Sequence, residues 1–158
     1  MDTRLTHLSN IPDVAKGPWQ TIRAERFRGQ HEKQLGRAVG LNQFGVNHIT
    51  LEPGALSSLR HWHEQEDEFV YVLSGELTLI DESGEHPLRE GSVIGWKAGV
   101  SNAHHIANNS AAPASFISVG TRHRGFEIIH YPDDPELGTV HAYCGPDGER
   151  AKPPEDRD

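Results

Sequence analysis

HWHEQEDEFVYVLSG, running from His61 to Gly75, is the stretch from which the rest of the chain is read. In an extended strand residues i and i+2 point to one face, so His61 and His63 present two imidazoles to a common point while Trp62 turns away. An acidic turn holding Glu64, Glu66 and Asp67 follows, and at Glu68 a run of β-formers begins. Glu68 shares a strand face with Val70 and Val72, whereas its acidic neighbours sit in the turn. Two imidazoles and one carboxylate at this spacing suit a divalent metal.

Working outward, FGVNHITLEPG before it reads as a strand ended by Glu52-Pro53-Gly54, because proline presets the first turn position and glycine accepts positive φ. SSLRHWH, ELTLID, EHPLRE, SVIGWK, HHIANN, ASFISVGT and GFEIIHY are further short strand candidates. Turn signals such as ESG, AGVSNA and NSAAP lie among them, and no amphipathic helix of about ten residues intervenes. Short strands at this spacing predict an all-β antiparallel sandwich or barrel over residues 44–131.

Residues 1–43 read as an arm of short irregular strands, broken by Gly29, Gly36 and Gly40. Arg23, Arg26, Arg28 and Arg37 are interleaved there with Glu25 and Glu32, which describes a solvated face rather than a basic patch. Residues 132–158 read as a proline-locked loop and a polar tail, expected to be largely disordered for want of anything to bury.

A second glycine-bounded block supplies a further imidazole. Gly91 to Gly99 frames a short apolar strand, and NAHHIANN follows, so a hairpin returns a histidine toward the first pair. Adjacent strand residues face opposite sides, so His104 and His105 compete for that role, and alternation alone leaves the choice open. His48, Trp96 and the late His123, His130 and His141 read as packing or surface residues. Tyr131, Tyr143 and Cys144 are candidates for a lid over the barrel mouth.

Composition excludes several partners. The 158 residues carry a formal charge of −8, and affinity for nucleic acid rests on lysines and arginines that neutralise phosphates. No apolar run approaches the roughly 20 residues that cross a bilayer, and MDTRLTHLSNIPDVAKGPW lacks the apolar core of a secretory signal. Cys144 is the only cysteine, so no internal disulfide forms and no cysteine zinc cluster is possible; a cytoplasmic location is expected. Histidine, by contrast, is abundant, at 11 residues. No Ser-His-Asp set, phosphate-cradling glycine loop or nucleotide fingerprint is present.

Together the two blocks resemble the cupin superfamily. Gly54, His61, His63, Glu68 and Gly75 follow its first motif, with one extra residue between Gly54 and His61. Gly91, Gly99, His104 and Asn108 follow its second, with Lys97 where the family usually has proline and a longer gap before the histidine. The histidine-to-asparagine spacing is met also by His105 and Asn109. Pro113 favours the frame of His104, since the family often places a proline about five residues after the asparagine. The resemblance implies a small single-domain jelly-roll barrel, a double-stranded β-helix. It also implies one divalent metal (Fe, Mn, Zn, Ni or Cu) held by His61, His63, Glu68 and His104. It further implies a homodimer, often formed by exchange of an N-terminal strand. Two functions fit: a metal-dependent dioxygenase, isomerase or lyase acting on a small polar molecule, and a non-catalytic barrel that binds a sugar or organic acid.

Overall fold

Alternation in the quoted stretch passes directly into the sheet it builds. In strand β4 (Glu68–Ser74), Val70 and Val72 point into the core, while Phe69, Tyr71 and Leu73 point outward and stay partly exposed. The computed structural model describes residues 3–14, 27–123, 125–144 and 150–151. Arg23, Arg26, the tail from residue 152 and the side chains of Tyr143 and Cys144 lie outside the described residues.

Among the described residues eleven further strands are formed. They are β1 (Gln30–Gln34), β2 (Phe44–Leu51), β3 (Trp62–His63), β5 (Glu76–Asp81), β6 (Gly84–Arg89) and β7 (Val93–Trp96), then β8 (His105–Ala107), β9 (Ala114–Thr121), β10 (Gly125–Tyr131), β11 (Gly138–Cys144) and β12 (Arg150–Ala151). One sheet has the order β1-β2-β9-β4-β7, a second β12-β11-β10-β3 and a third β6-β5-β8, with every pairing antiparallel. The expectation of an all-β chain holds. No described helix is long and apolar enough to cross a membrane.

The core is shared by the five-stranded and three-stranded sheets. Ile49, Leu51, Val72, Ala114 and Phe116 from the first meet Leu77, Leu79, Leu88 and Ile106 from the second. Leu51, Val72 and Phe116 are almost fully buried, and each such side chain contributes about 1.5–3 kcal/mol relative to exposure. Gly75, at the hairpin between β4 and β5, has φ +80°, and an added Cβ would stand 2.6 Å from that of Ala114. Both the backbone and the space there require glycine.

Asn108 explains its own place in the second block. Fully buried, it donates from Nδ2 to Leu51 O at 2.7 Å and to Ala112 O at 2.8 Å, and its Oδ1 accepts from Ser110 N and Oγ. The asparagine thus locks the turn between β8 and β9.

Some local readings differ from the structure. SSLRHWH contributes only Trp62–His63 to a ladder, and its preceding residues bend instead. The described arm holds a 3-10 turn at Leu8–Asn10 and one α-helical turn, α1 (Leu35–Ala38), which follows β1 directly and packs on β2. Beyond residue 131 lies β11, paired with β10 along its whole length. His48 faces outward with Val46 and Ile117, because Ile49 and Leu51 take the inward positions of β2.

Candidate metal centre

A single backbone pairing organises the site. His61 N donates to His104 O at 3.2 Å and His104 N donates to His61 O at 3.0 Å, an isolated antiparallel bridge between the two blocks. Directly opposed residues of an antiparallel pair carry their side chains on the same face. His104 therefore joins His61, and His105, one residue on, directs Nδ1 to Ser58 O at 3.1 Å. Glu68 lies at the start of β4, in register with Trp96 on one side and Gly120 on the other.

Three imidazoles converge on the Glu68 carboxylate. His104 Nε2 is 2.8 Å from Oε2, His61 Nε2 is 3.9 Å from the same oxygen, and His63 Nε2 is 3.6 Å from Oε1. His61, Glu68 and His104 each place a ligand atom within 4.8 Å of the other two, and His63 stands just outside that cluster. The opposite ring nitrogens are all engaged: His61 Nδ1 with Leu59 O at 2.8 Å, His104 Nδ1 with Asn102 O at 2.8 Å and His63 Nδ1 with Glu127 Oε1 at 3.2 Å. A carbonyl or carboxylate oxygen only accepts, so each Nδ1 carries the proton and each Nε2 offers its lone pair inward.

The electrostatics match a cation. Burial, first, drives the His61 imidazole down to about 4, so it is neutral near pH 7 and able to ligate. Burial also pushes the Glu68 carboxyl up, but the His104 hydrogen bond and the three nearby imidazoles outweigh it and bring it to about 2. With its Nδ1 proton committed to Asn102, His104 reaches an ionised Glu68 through Nε2 only if a second proton or a metal ion stands between them. The residues fit a divalent ion.

The acidic neighbours of Glu68 are engaged elsewhere. Glu64 pairs with His130 at 2.8 Å, buried Glu66 accepts from His123 N at 3.0 Å, and Asp67 accepts from Ala98 N at 2.8 Å. The cavity beside the centre has a volume of about 140 Å³, and its lining includes Ser57, Ser58, His105 and Ser118. Trp96 stacks on His104 with ring centroids 3.8 Å apart, and Tyr131 stacks on His61 at 5.7 Å. Burial, then the charge of Glu68, raises the Tyr131 hydroxyl to about 12, so it stays protonated at neutral pH.

Motif spacing pointed to the ligand types but missed Glu127, the Leu59 and Asn102 carbonyls and the stacking partners. A carboxylate 64 residues from its histidine leaves no local signal. The alternation of GFEIIHY was the available clue: Glu127, Ile129 and Tyr131 share one face of β10, the face that His63 shares through its pairing with Ile129.

An antiparallel β fold with an interior cluster of histidines and one carboxylate defines a small β protein with a cluster that could hold a metal ion. The family model described as Cupin domain matches residues 47–120. Among solved structures, a sugar phosphate isomerase of the cupin superfamily from Silicibacter pomeroyi is 38% identical, with a TM-score of 0.74, over 87% of this chain and 91% of that one. A putative sugar phosphate isomerase from Acidithiobacillus ferrooxidans is 29% identical, with a TM-score of 0.67, over 82% of this chain and 86% of that one. A predicted oxalate decarboxylase from Thermotoga maritima, 23% identical with a TM-score of 0.59, covers 75% of this chain and 98% of its own and shares the fold. No curated protein matches the chain in sequence. The chain belongs to the cupin superfamily.

Proposed function

We propose that this cupin is a metal-dependent enzyme acting on a small polar molecule, and that isomerisation of a phosphorylated sugar is the activity to test first. Its metal is one divalent transition ion, Fe, Mn, Zn, Ni or Cu, held by His61, His63, Glu68 and His104. The observation that carries this reading is the convergence of three Nε2 atoms, each with its Nδ1 engaged, on one ionised carboxylate. Such an ion, when bound, acts as a Lewis acid on a substrate oxygen. Around it the chain supplies Ser57, Ser58 and Ser118 as hydrogen-bonding groups in the cavity wall. The choice of isomerisation rests on the relative from Silicibacter pomeroyi, 38% identical over most of both chains, which is described as a sugar phosphate isomerase.

Two further parts of the proposal have separate support. A homodimer is favoured by the outer face of the five-stranded sheet, where Phe44, Phe69, Tyr71 and Val93 are 40–62% exposed. These apolar side chains would be buried if two such faces packed together. A reducing cytoplasmic setting accords with the lone Cys144.

The test combines elemental analysis of the purified protein with aldose–ketose interconversion assays on a panel of sugar phosphates, in wild type and His61→Ala. Metal near one ion per chain and activity lost in the variant are expected. A wild-type protein that is metal-free and resists reconstitution overturns the metal assignment. A ligand that raises the melting temperature equally in wild type and His63→Ala, with no turnover, makes the chain a binding barrel instead.

A further inference from the structure

Outside the four predicted ligands, the most unusual group in the fold is the side chain of Glu127. It is 1% exposed, and its Oε2 is buried with no hydrogen-bond partner. Oε1 lies 3.2 Å from His63 Nδ1 and accepts weakly from Gln65 N at 3.5 Å. Strand register explains the placement. His63 is directly opposite Ile129, and Glu127 lies two residues along on the face of Ile129, the diagonal neighbour of His63.

A carboxylate is not buried beside a neutral ring without a compensating charge. Among the described residues no lysine or arginine pairs with Glu127 or with Glu68, and the only groups ion-paired to either are His61, His63 and His104. Buried Glu127 and part-buried Glu68 thus both face the three imidazoles, a donor set that suits a divalent cation.

We propose that Glu127 is a positioning residue for the metal centre. Its carboxylate accepts the Nδ1 proton of His63, which fixes the tautomer and aims the Nε2 lone pair at the side of the site occupied by Glu68. It strengthens His63 as a donor and contributes the second negative charge that favours a divalent ion. This role rests on the reading of the site as a metal centre. It also gives His63, which stands just outside the tight cluster of His61, Glu68 and His104, a reason to complete the set when metal is present.

The test is a set of Zn(II) affinities, measured by chelator competition on the intact chain, for wild type, Glu127→Gln, His63→Ala and the double variant. Melting of the metal-free proteins is followed in parallel. Glu127→Gln keeps the shape and removes the charge, and an affinity loss of about 10–100-fold is expected, the range known for outer partners of metal-bound histidines. In the His63→Ala background the same change is expected to cost little, because its route to the metal is gone. The absorption spectrum of the Co(II)-loaded protein is expected to shift in Glu127→Gln, a change that a purely structural role would not produce. If Glu127→Gln does not fold, Glu127→Asp, which keeps the charge but draws it back from His63, is expected to weaken affinity about tenfold. Wild-type affinity in the folded variant, or an equal loss with and without His63, overturns the positioning role while leaving the metal centre intact. A wild-type protein that binds neither ion overturns the metal reading and this role together.

Discussion

His104 Nε2 lies 2.8 Å from Glu68 Oε2 although 36 positions separate the two residues in sequence. The contact follows from the bridge that sets His104 opposite His61 and from the register that places Glu68 beside Trp96. It distinguishes His104 from its neighbour, which leads to the first expectation. His104→Ala is expected to lose metal affinity by more than the roughly 10–100-fold that outer partners of metal ligands command. His105→Ala should retain it, since its Nδ1 is turned to Ser58 O. Metal content after dialysis against a chelator separates the two.

The second block offers two histidine-to-asparagine frames, and stability discriminates between their asparagines. Asn108→Ala removes the side-chain donor to Leu51 O inside the core and one of the two donors to Ala112 O, which keeps Ser110 Oγ, and loss of that buried hydrogen bond costs about 1–3 kcal/mol. Exposed Asn109, whose Nδ2 reaches Thr78 Oγ1 at 3.4 Å, should change stability by no more than about 0.5 kcal/mol when replaced by alanine. Urea unfolding midpoints are the measurement.

Asp81 gives a pH dependence with a definite sign. Burial raises its carboxyl, but hydrogen bonds from Ser83 Oγ and N, Asn102 Nδ2 and His86 Nε2 outweigh it and hold the group at about 2, below the ordinary 3.8. A carboxyl with a lower value in the folded state stabilises above its unfolded value, and that stabilisation is lost as pH falls from 3.8 toward 2. The melting temperature of the wild type should therefore fall through this window, and Asp81→Asn should flatten that part of the profile. Asn102 also holds His104 Nδ1 through its carbonyl. Asp81→Ala is accordingly expected to weaken metal binding by up to about tenfold, measured by chelator competition at neutral pH.

Docking of two outer sheet faces predicts a chain that sediments as a dimer. Tyr71→Asp places a charge on the exposed side of β4, where Tyr71 is paired in register with Ile117 and Val93, and is expected to shift the mass to that of a monomer. Light scattering with both proteins at matched concentration checks it, and a monomeric wild type would count against the dimer.

Metal-free wild type and Trp96→Ala provide a last comparison. The indole stacks on the His104 ring and packs against the core. Its truncation is expected to cost about 3 kcal/mol by thermal unfolding and to loosen the His104 ring, read as weaker Zn(II) affinity. Trp96→Phe should restore most of both.

Much of this was legible along the chain because it depends on local periodicity. The strand of Val70 and Val72, the turn at Gly75 and the imidazole pair around Trp62 all follow from a side-chain period of two and from the backbone freedom of glycine. SSLRHWH was read too generously as a strand, since Ser57 to Arg60 bend to bring His61 against His104. The strand Gly138–Cys144 was hidden for a related reason: its pairing is with β10, and the polar, proline-broken text on either side gives no apolar alternation.

From residue types and spacing alone came an antiparallel β architecture, a histidine-and-carboxylate set and the family to which these belong. The resemblance, with Pro113, already favoured His104 over His105; only the assembled fold turned His105 toward Ser58, engaged Glu64, Glu66 and Asp67 elsewhere and set Glu127 behind His63. The division has a physical cause. Which side of a strand a residue occupies repeats over two positions, but which partner it meets there depends on long-range register and burial, and these exist only once the sheets have closed on one another.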